Sequence, residues 1–225
     1  MASEILRKAI AEFVGTFALI FIGAGSIVVT GGSDLLLIAF AHGLTIGVMA
    51  SATGHISGGH FNPAVTFGAL VGRQISLRNA VVYWIAQLLG ALVAAAFLVG
   101  IFPVVVWQAT ALGTPALGPG VGVATGILVE AVLAFFLVFV VYGTAIDPRS
   151  SFRAGGLAIG LTIALDIMMG GPVTGAAMNP ARWFGPAVVS GSLADAIVWW
   201  AGPLIGGGVA GLVYGHALLE RRREA

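Results

Sequence analysis

Thr174-Gly175-Ala176-Ala177-Met178-Asn179-Pro180-Ala181-Arg182-Trp183-Phe184-Gly185-Pro186 has a near-copy earlier in the chain, Ser57-Gly58-Gly59-His60-Phe61-Asn62-Pro63-Ala64-Val65-Thr66-Phe67-Gly68-Ala69. Each copy is a glycine-containing loop, then Asn-Pro-Ala, then an apolar run. That order is a helix start: the Asn side-chain oxygen can accept from a free first-turn amide, and Pro fits the next position because the amide it lacks would be unpaired anyway. The spacing predicts short helices over 62–71 and 179–189. Each is roughly 15 Å long, half of a ~30 Å bilayer core, so two of them can meet at the midplane.

Working outward, the 225 residues are 59% hydrophobic and 8% charged, with a mean hydropathy of +1.05. This lies far from soluble usage, and apolar stretches of about 20 residues recur from end to end, which predicts a polytopic membrane protein. The 34 glycines fit, because small residues let membrane helices approach closely. No Cys is present, which excludes disulfides, thiolate metal sites and cysteine nucleophiles. A net charge of +1 gives no indication of nucleic acid as a partner. The apolar run after Met1-Ala2-Ser3-Glu4-Ile5-Leu6-Arg7-Lys8 is too long for a signal-peptide core and reads as a first spanning helix.

Spanning helices are expected near 5–27, 35–54, 79–101, 122–144, 154–171 and 195–218. Arg7, Lys8, Arg73, Arg78, Arg149, Arg153 and Arg221 to Arg223 all then fall on one side, which the positive-inside rule makes cytoplasmic, together with both termini. The 102–121 loop carries no Lys or Arg. Arg182 is the one basic residue left at membrane depth.

The chain also repeats itself. Gly43-Leu44-Thr45-Ile46 returns as Gly160-Leu161-Thr162-Ile163, and the same shift of 117 carries Gly58 to Gly175 and Asn62 to Asn179. With shifts one residue either way, Glu12 maps to Glu130, and Trp84, Leu88 and Gly90 map to Trp200, Leu204 and Gly206. Each unit holds three spanning helices and one half-helix, so the second inserts upside down. Residues 1–225 read as one channel domain, repeat one about 5–101 and repeat two about 122–218. Inverted repeats with broken helices place a transport site near the midplane.

Two Asn-Pro-Ala boxes, Ala11-Glu12-Phe13-Val14-Gly15-Thr16, Glu130 and Asn179-Pro180-Ala181-Arg182 together resemble the aquaporin (major intrinsic protein) family over essentially the whole chain. His55-Ile56-Ser57-Gly58-Gly59-His60, Gly170-Gly171-Pro172 and the run from Phe184 to Gly191 look most similar to the tonoplast intrinsic proteins. The resemblance implies an all-α membrane protein of six transmembrane helices and two re-entrant half-helices, a homotetramer with one pore per subunit, passing water and small neutral solutes, with no enzyme chemistry and no cofactor.

By the same resemblance, Asn62, Pro63, Ala64, Asn179, Pro180 and Ala181 meet at the pore centre. There two positive helix ends oppose cations, and the Asn amides are expected to point N–H groups at passing water. A selectivity filter is implied at His42, Ile167, Ala176 and Arg182, with Arg182 and His42 both offering donors to solute. Compared with the filters of strict water channels, Ile167 and Ala176 imply a wider opening, suited to ammonia and hydrogen peroxide, slower for urea and poor for glycerol. His60 is expected to line the cytoplasmic half and His55 to brace the loop beside it. Glu12 and Glu130 are either proton-transfer groups or acceptors for loop amides, and symmetry favours loop-bracing. Asp166 is expected to accept hydrogen bonds from the outer loops. Trp183 departs from the family, which usually carries Ser there in water channels and Asp in glycerol facilitators.

Two other classes are compatible with parts of this pattern. Inverted repeats and buried acids also suit a proton-coupled secondary transporter, which predicts saturable, gradient-dependent uptake. A junction or adhesion role predicts contact between membranes, for which the outer loops offer little material.

Overall fold

The computed structural model describes residues 3–151 and 154–220. Arg153 and Arg221 to Arg223, used above for orientation, lie outside the described residues. Among the described residues, six helices are long and apolar enough to cross a membrane: α1 (Glu4–Thr30), α2 (Leu35–Ser57), α4 (Leu77–Ile101), α6 (Val123–Ile146), α7 (Gly155–Thr174) and α9 (Ile197–Leu218). Two short helices, α3 (Pro63–Val71) and α8 (Pro180–Ser190), follow the Asn-Pro-Ala boxes. The stretch expected to be a plain loop at 102–121 instead holds a short helix α5 (Val104–Ala109) and a 3₁₀ turn at Ala111–Gly113.

The ends of these helices follow from local chemistry. Ser3, Asp34 and Ser76 cap α1, α2 and α4 by accepting from Leu6, Leu37 and Asn79 amides. At the other end, α2 and α7 stop at Gly58 (φ 91°) and Gly175 (φ 76°), left-handed positions that glycine tolerates best. Both glycines open the loops that lead to the boxes, so the repeat is visible in the caps themselves. Three of the described helices contain wider turns: α1 has a π-helical segment at Leu19–Ala24, and α6 and α9 end in others at Tyr142–Ile146 and Val213–Leu218.

Packing repeats with the sequence. α1 runs along α4 and α6 along α9, while α2 and α7 cross each other. The duplicated Gly-Leu-Thr-Ile motif sits at that crossing: a Cβ on Gly43 would collide with the Gly160 carbonyl, and one on Gly160 with the Gly43 carbonyl. The half-helices lean on the opposite repeat, α3 against α9 and α8 against α4. Large apolar side chains such as Val29, Val48, Leu128 and Leu165 point outward, as expected where lipid surrounds the helices.

Candidate functional site

Both boxes begin as their chemistry dictates. Asn62 Oδ1 accepts from Ala64 N at 2.8 Å, and Asn179 Oδ1 accepts from Ala181 N at 3.0 Å and Arg182 N at 3.2 Å. The amide ends then cross between repeats. Asn62 Nδ2 donates to Met178 O at 2.9 Å and Asn179 Nδ2 donates to Phe61 O at 3.0 Å. One proton of each amide thus ties the two loops together and does not face the lumen as expected. The accepting carbonyls are presented by Phe61 (φ 49°) and Met178 (φ 51°), left-handed residues buried next to each Asn.

Those strained loops are held from behind by the two buried carboxylates. Glu12 accepts from Ser57 Oγ (2.7 Å), His60 N (3.0 Å), Phe61 N (2.7 Å) and Gln87 Nε2 (2.8 Å). Glu130 accepts from Thr174 Oγ1 (2.7 Å), Ala177 N (2.9 Å) and Met178 N (2.6 Å). Amides of a re-entrant loop have no water to turn to, and a carboxylate satisfies several at once. A further pair was not singled out from the sequence: Tyr83 Oη donates to Ser57 O at 2.6 Å and Trp199 Nε1 donates to Thr174 O at 3.0 Å. The shift that relates Trp84 to Trp200 also relates Tyr83 to Trp199, so the signal was present.

A narrow cavity is lined by both Asn residues, by loop residues Gly59, His60, Ala176, Ala177 and Met178, and by His42, Ile167 and Arg182. Apolar side chains of Leu19, Ile46, Val65, Leu137, Val141, Ile159 and Ile163 complete it. His60 Nδ1 lies 3.0 Å from Thr66 Oγ1, with its ring edge-on to Tyr83. His55 does not brace the loop; it is exposed, and Ser57, Tyr83 and Glu12 do that work instead.

Arg182 and His42 are both 3% exposed and form a linked pair. Arg182 Nε donates to His42 Nε2 at 2.9 Å, and His42 Nδ1 lies 2.8 Å from Ile38 O. The two contacts require the proton on Nδ1 and the lone pair on Nε2. His42 therefore has no donor left for a solute, contrary to the expectation above. Arg182 Nη1 is buried with no hydrogen-bond partner among the described residues. No carboxylate lies within 4.0 Å of Arg182 there either, since the described ion pairs are all elsewhere. The His42 ring is seated against Gly23 in the π-helical segment of α1, where a Cβ would come within 2.5 Å of Cδ2. Gly23 carries no motif, so the sequence could not single it out.

One expectation ends differently, and Trp183, given no role from the sequence, finds a packing partner. Asp166 is buried, but its Oδ2 has no hydrogen-bond partner among the described residues, so it is not an anchor for the outer loops. Trp183 stacks on Trp199 with ring centroids 5.7 Å apart and planes 7° from parallel, away from the cavity lining. Among the described residues no group of three or more His, Asp or Glu is arranged to hold a metal.

The chain matches the family described as major intrinsic protein over residues 1–214. It is 45% identical to a probable TIP-type aquaporin of Medicago truncatula, over 98% of this chain and 90% of the relative. It is 44% identical to aquaporin TIP2-1 of Arabidopsis thaliana, over 95% and 88% respectively. Among solved structures, the aquaglyceroporin of Plasmodium falciparum superposes with a TM-score of 0.81 at 24% identity, covering 95% of this chain and 96% of that one, which speaks to the fold.

Proposed function

The chain belongs to the major intrinsic protein family, and on that premise we propose that it is a passive channel for water that also admits small neutral solutes. The observation that carries this reading is the crossed pair of Asn bonds in the cavity wall, Asn62 to Met178 and Asn179 to Phe61. Two helix starts are thereby held face to face, and their partial positive charges oppose any cation, including a proton, at the point where they meet. Each Asn amide keeps one N–H for a passing water. Beyond them, Arg182, whose Nη1 has no partner among the described residues, supplies a second cationic barrier and a donor to neutral solutes. His42 serves as acceptor and positioner for Arg182, and Ile167 and Ala176 provide the apolar wall. His60 lines the far half, and Glu12 and Glu130 brace the loops.

The transporter alternative needs carboxylates free to change protonation. The hydrogen bonds that Glu12 and Glu130 accept from loop amides support bracing over proton relay. We place both termini on the cytoplasmic side, assemble the chain as a homotetramer, treat residues 1–225 as one domain of two repeats, and assign no cofactor and no catalytic step. The test is light scattering from proteoliposomes. Water flux well above empty liposomes, unaffected by a protonophore, is expected, and saturable flux abolished by a protonophore overturns the reading. Ammonia flux should fall when the apolar wall is narrowed by Ile167→His with Ala176→Thr; an unchanged ratio of ammonia to water would remove those two residues from the filter.

A further inference from the structure

A second site lies outside the cavity, where α1 and α4 run side by side. Near the start of both helices is a polar pocket formed by Ser3, Glu4, Ile5, Lys8, Arg78 and Asn79. Along the same helix pair runs an apolar groove formed by Ala9, Phe13, Val82, Ile85 and Ala86 with their neighbours. Lys8 is followed at once by Ala9, and Arg78 is one helical turn before Val82, so the groove takes up where the pocket ends. Small residues on both helices leave the groove open, and Ile10 (51% exposed), Ile85 (55%) and Leu89 (50%) place its walls in the lipid zone.

The charges do not cancel within the pocket. Glu4 is engaged by Lys8 in an i,i+4 ion pair, which uses one of three ammonium protons. Arg78 is exposed and has no hydrogen bond or ion pair among the described residues, so its planar fork of donors is available to a phosphate. One net positive charge beside an acyl-sized apolar groove demands a ligand with an anionic head and a hydrocarbon tail. We propose that the α1–α4 face holds one anionic phospholipid of the adjacent leaflet, with its phosphate on Arg78 and Lys8 and an acyl chain along Ala9, Phe13 and Val82. A soluble anion cannot use the groove, and a zwitterionic lipid brings its own ammonium to the phosphate, which leaves the net positive charge of the pocket uncompensated.

Native mass spectrometry of the full chain in detergent, titrated with dioleoyl phosphatidylglycerol or dioleoyl phosphatidylcholine, tests this. One phosphatidylglycerol per chain should be retained in preference to phosphatidylcholine. Arg78→Gln should weaken phosphatidylglycerol about fivefold, the usual worth of one basic residue near a membrane surface, and phosphatidylcholine by less, so that the preference between the two shrinks. Arg7→Gln removes the same charge outside the pocket and should change neither lipid. Ala9→Leu fills the groove and should weaken both lipids; should that variant not fold, the Arg78 and Arg7 contrast decides alone. Equal loss in Arg7→Gln and Arg78→Gln would mean diffuse surface charge. Equal retention of the two lipids, or displacement of phosphatidylglycerol by millimolar inorganic phosphate, would also overturn the assignment.

Discussion

Arg182 is a buried cation whose guanidinium meets a neutral imidazole rather than a carboxylate. Such a charge costs about 2.5–3.5 kcal/mol at membrane depth, so its presence is a burden on stability. Arg182→Val should therefore leave thermal stability in detergent equal or raised while solute and ion exclusion is lost in proteoliposomes. A fall in stability with selectivity intact would mean that Arg182 is structural. Gly23 makes the companion prediction. Gly23→Ala would put a methyl within 2.5 Å of the His42 ring and 2.7 Å of Nε2, the atom that accepts from Arg182. The ring must swing toward the cavity at about 1–3 kcal/mol of strain. Water flux should drop while the fold persists, and flux equal to wild type would show that His42 is not held by that wall.

At the scale of elements, the re-entrant loops are the parts that cannot stand alone. Glu130 gives the second loop its only acceptor for the Ala177 and Met178 amides among the described residues. Glu130→Ala orphans two buried N–H groups, a loss of about 2–6 kcal/mol, and should lower the unfolding temperature and the water flux together. Unchanged stability with altered proton coupling would revive the transporter reading. A second device ties the loop after α6 to the end of α9. Arg149 pairs with Asp147 at 2.6 Å and with Glu220 at 3.1 Å and donates to Leu218 O, while Tyr214 Oη donates to Asp147. The Arg149 guanidinium holds the Asp147 carboxyl well below the usual carboxylate range, and Asp147 in turn pushes Arg149 up. A depressed acid stabilises above its ordinary value near 3.9 and loses that contribution only as pH falls through the depressed one. Hydrogen exchange at 145–151 should hence report the same protection at pH 7 and pH 5 once corrected for intrinsic rates. Asp147→Asn should raise exchange at both. Loss of protection between pH 7 and 5 in the wild type would show that another group controls this contact.

The whole molecule shows why some of this was readable and some was not. Chemistry confined to a few neighbouring residues is legible: Asn62 and Asn179 announce helix starts, Gly58 and Gly175 announce helix ends, and the repeat makes each pair vouch for the other. The π-helical turn at Leu19–Ala24 is not, because an all-apolar run has no periodic contrast to betray a change of pitch. Nor is α5, which sits in a loop whose composition resembles the spans around it. Partners far apart in sequence, such as Gln87 on Glu12, need the tertiary fold before they can be paired. The same interlocking leads to a prediction about folding. Because α3 rests on α9 and α8 on α4, neither repeat encloses its own half-helix, and the crossed Asn bonds join what remains. The two repeats should therefore unfold as one unit despite their symmetry. Variants that keep Trp84 in repeat one or Trp199 in repeat two as sole fluorescent reporter should lose signal at the same denaturant concentration as helical circular dichroism. Separate midpoints for the two reporters would show that each repeat is stable on its own, and the single-domain assignment would have to be replaced by two.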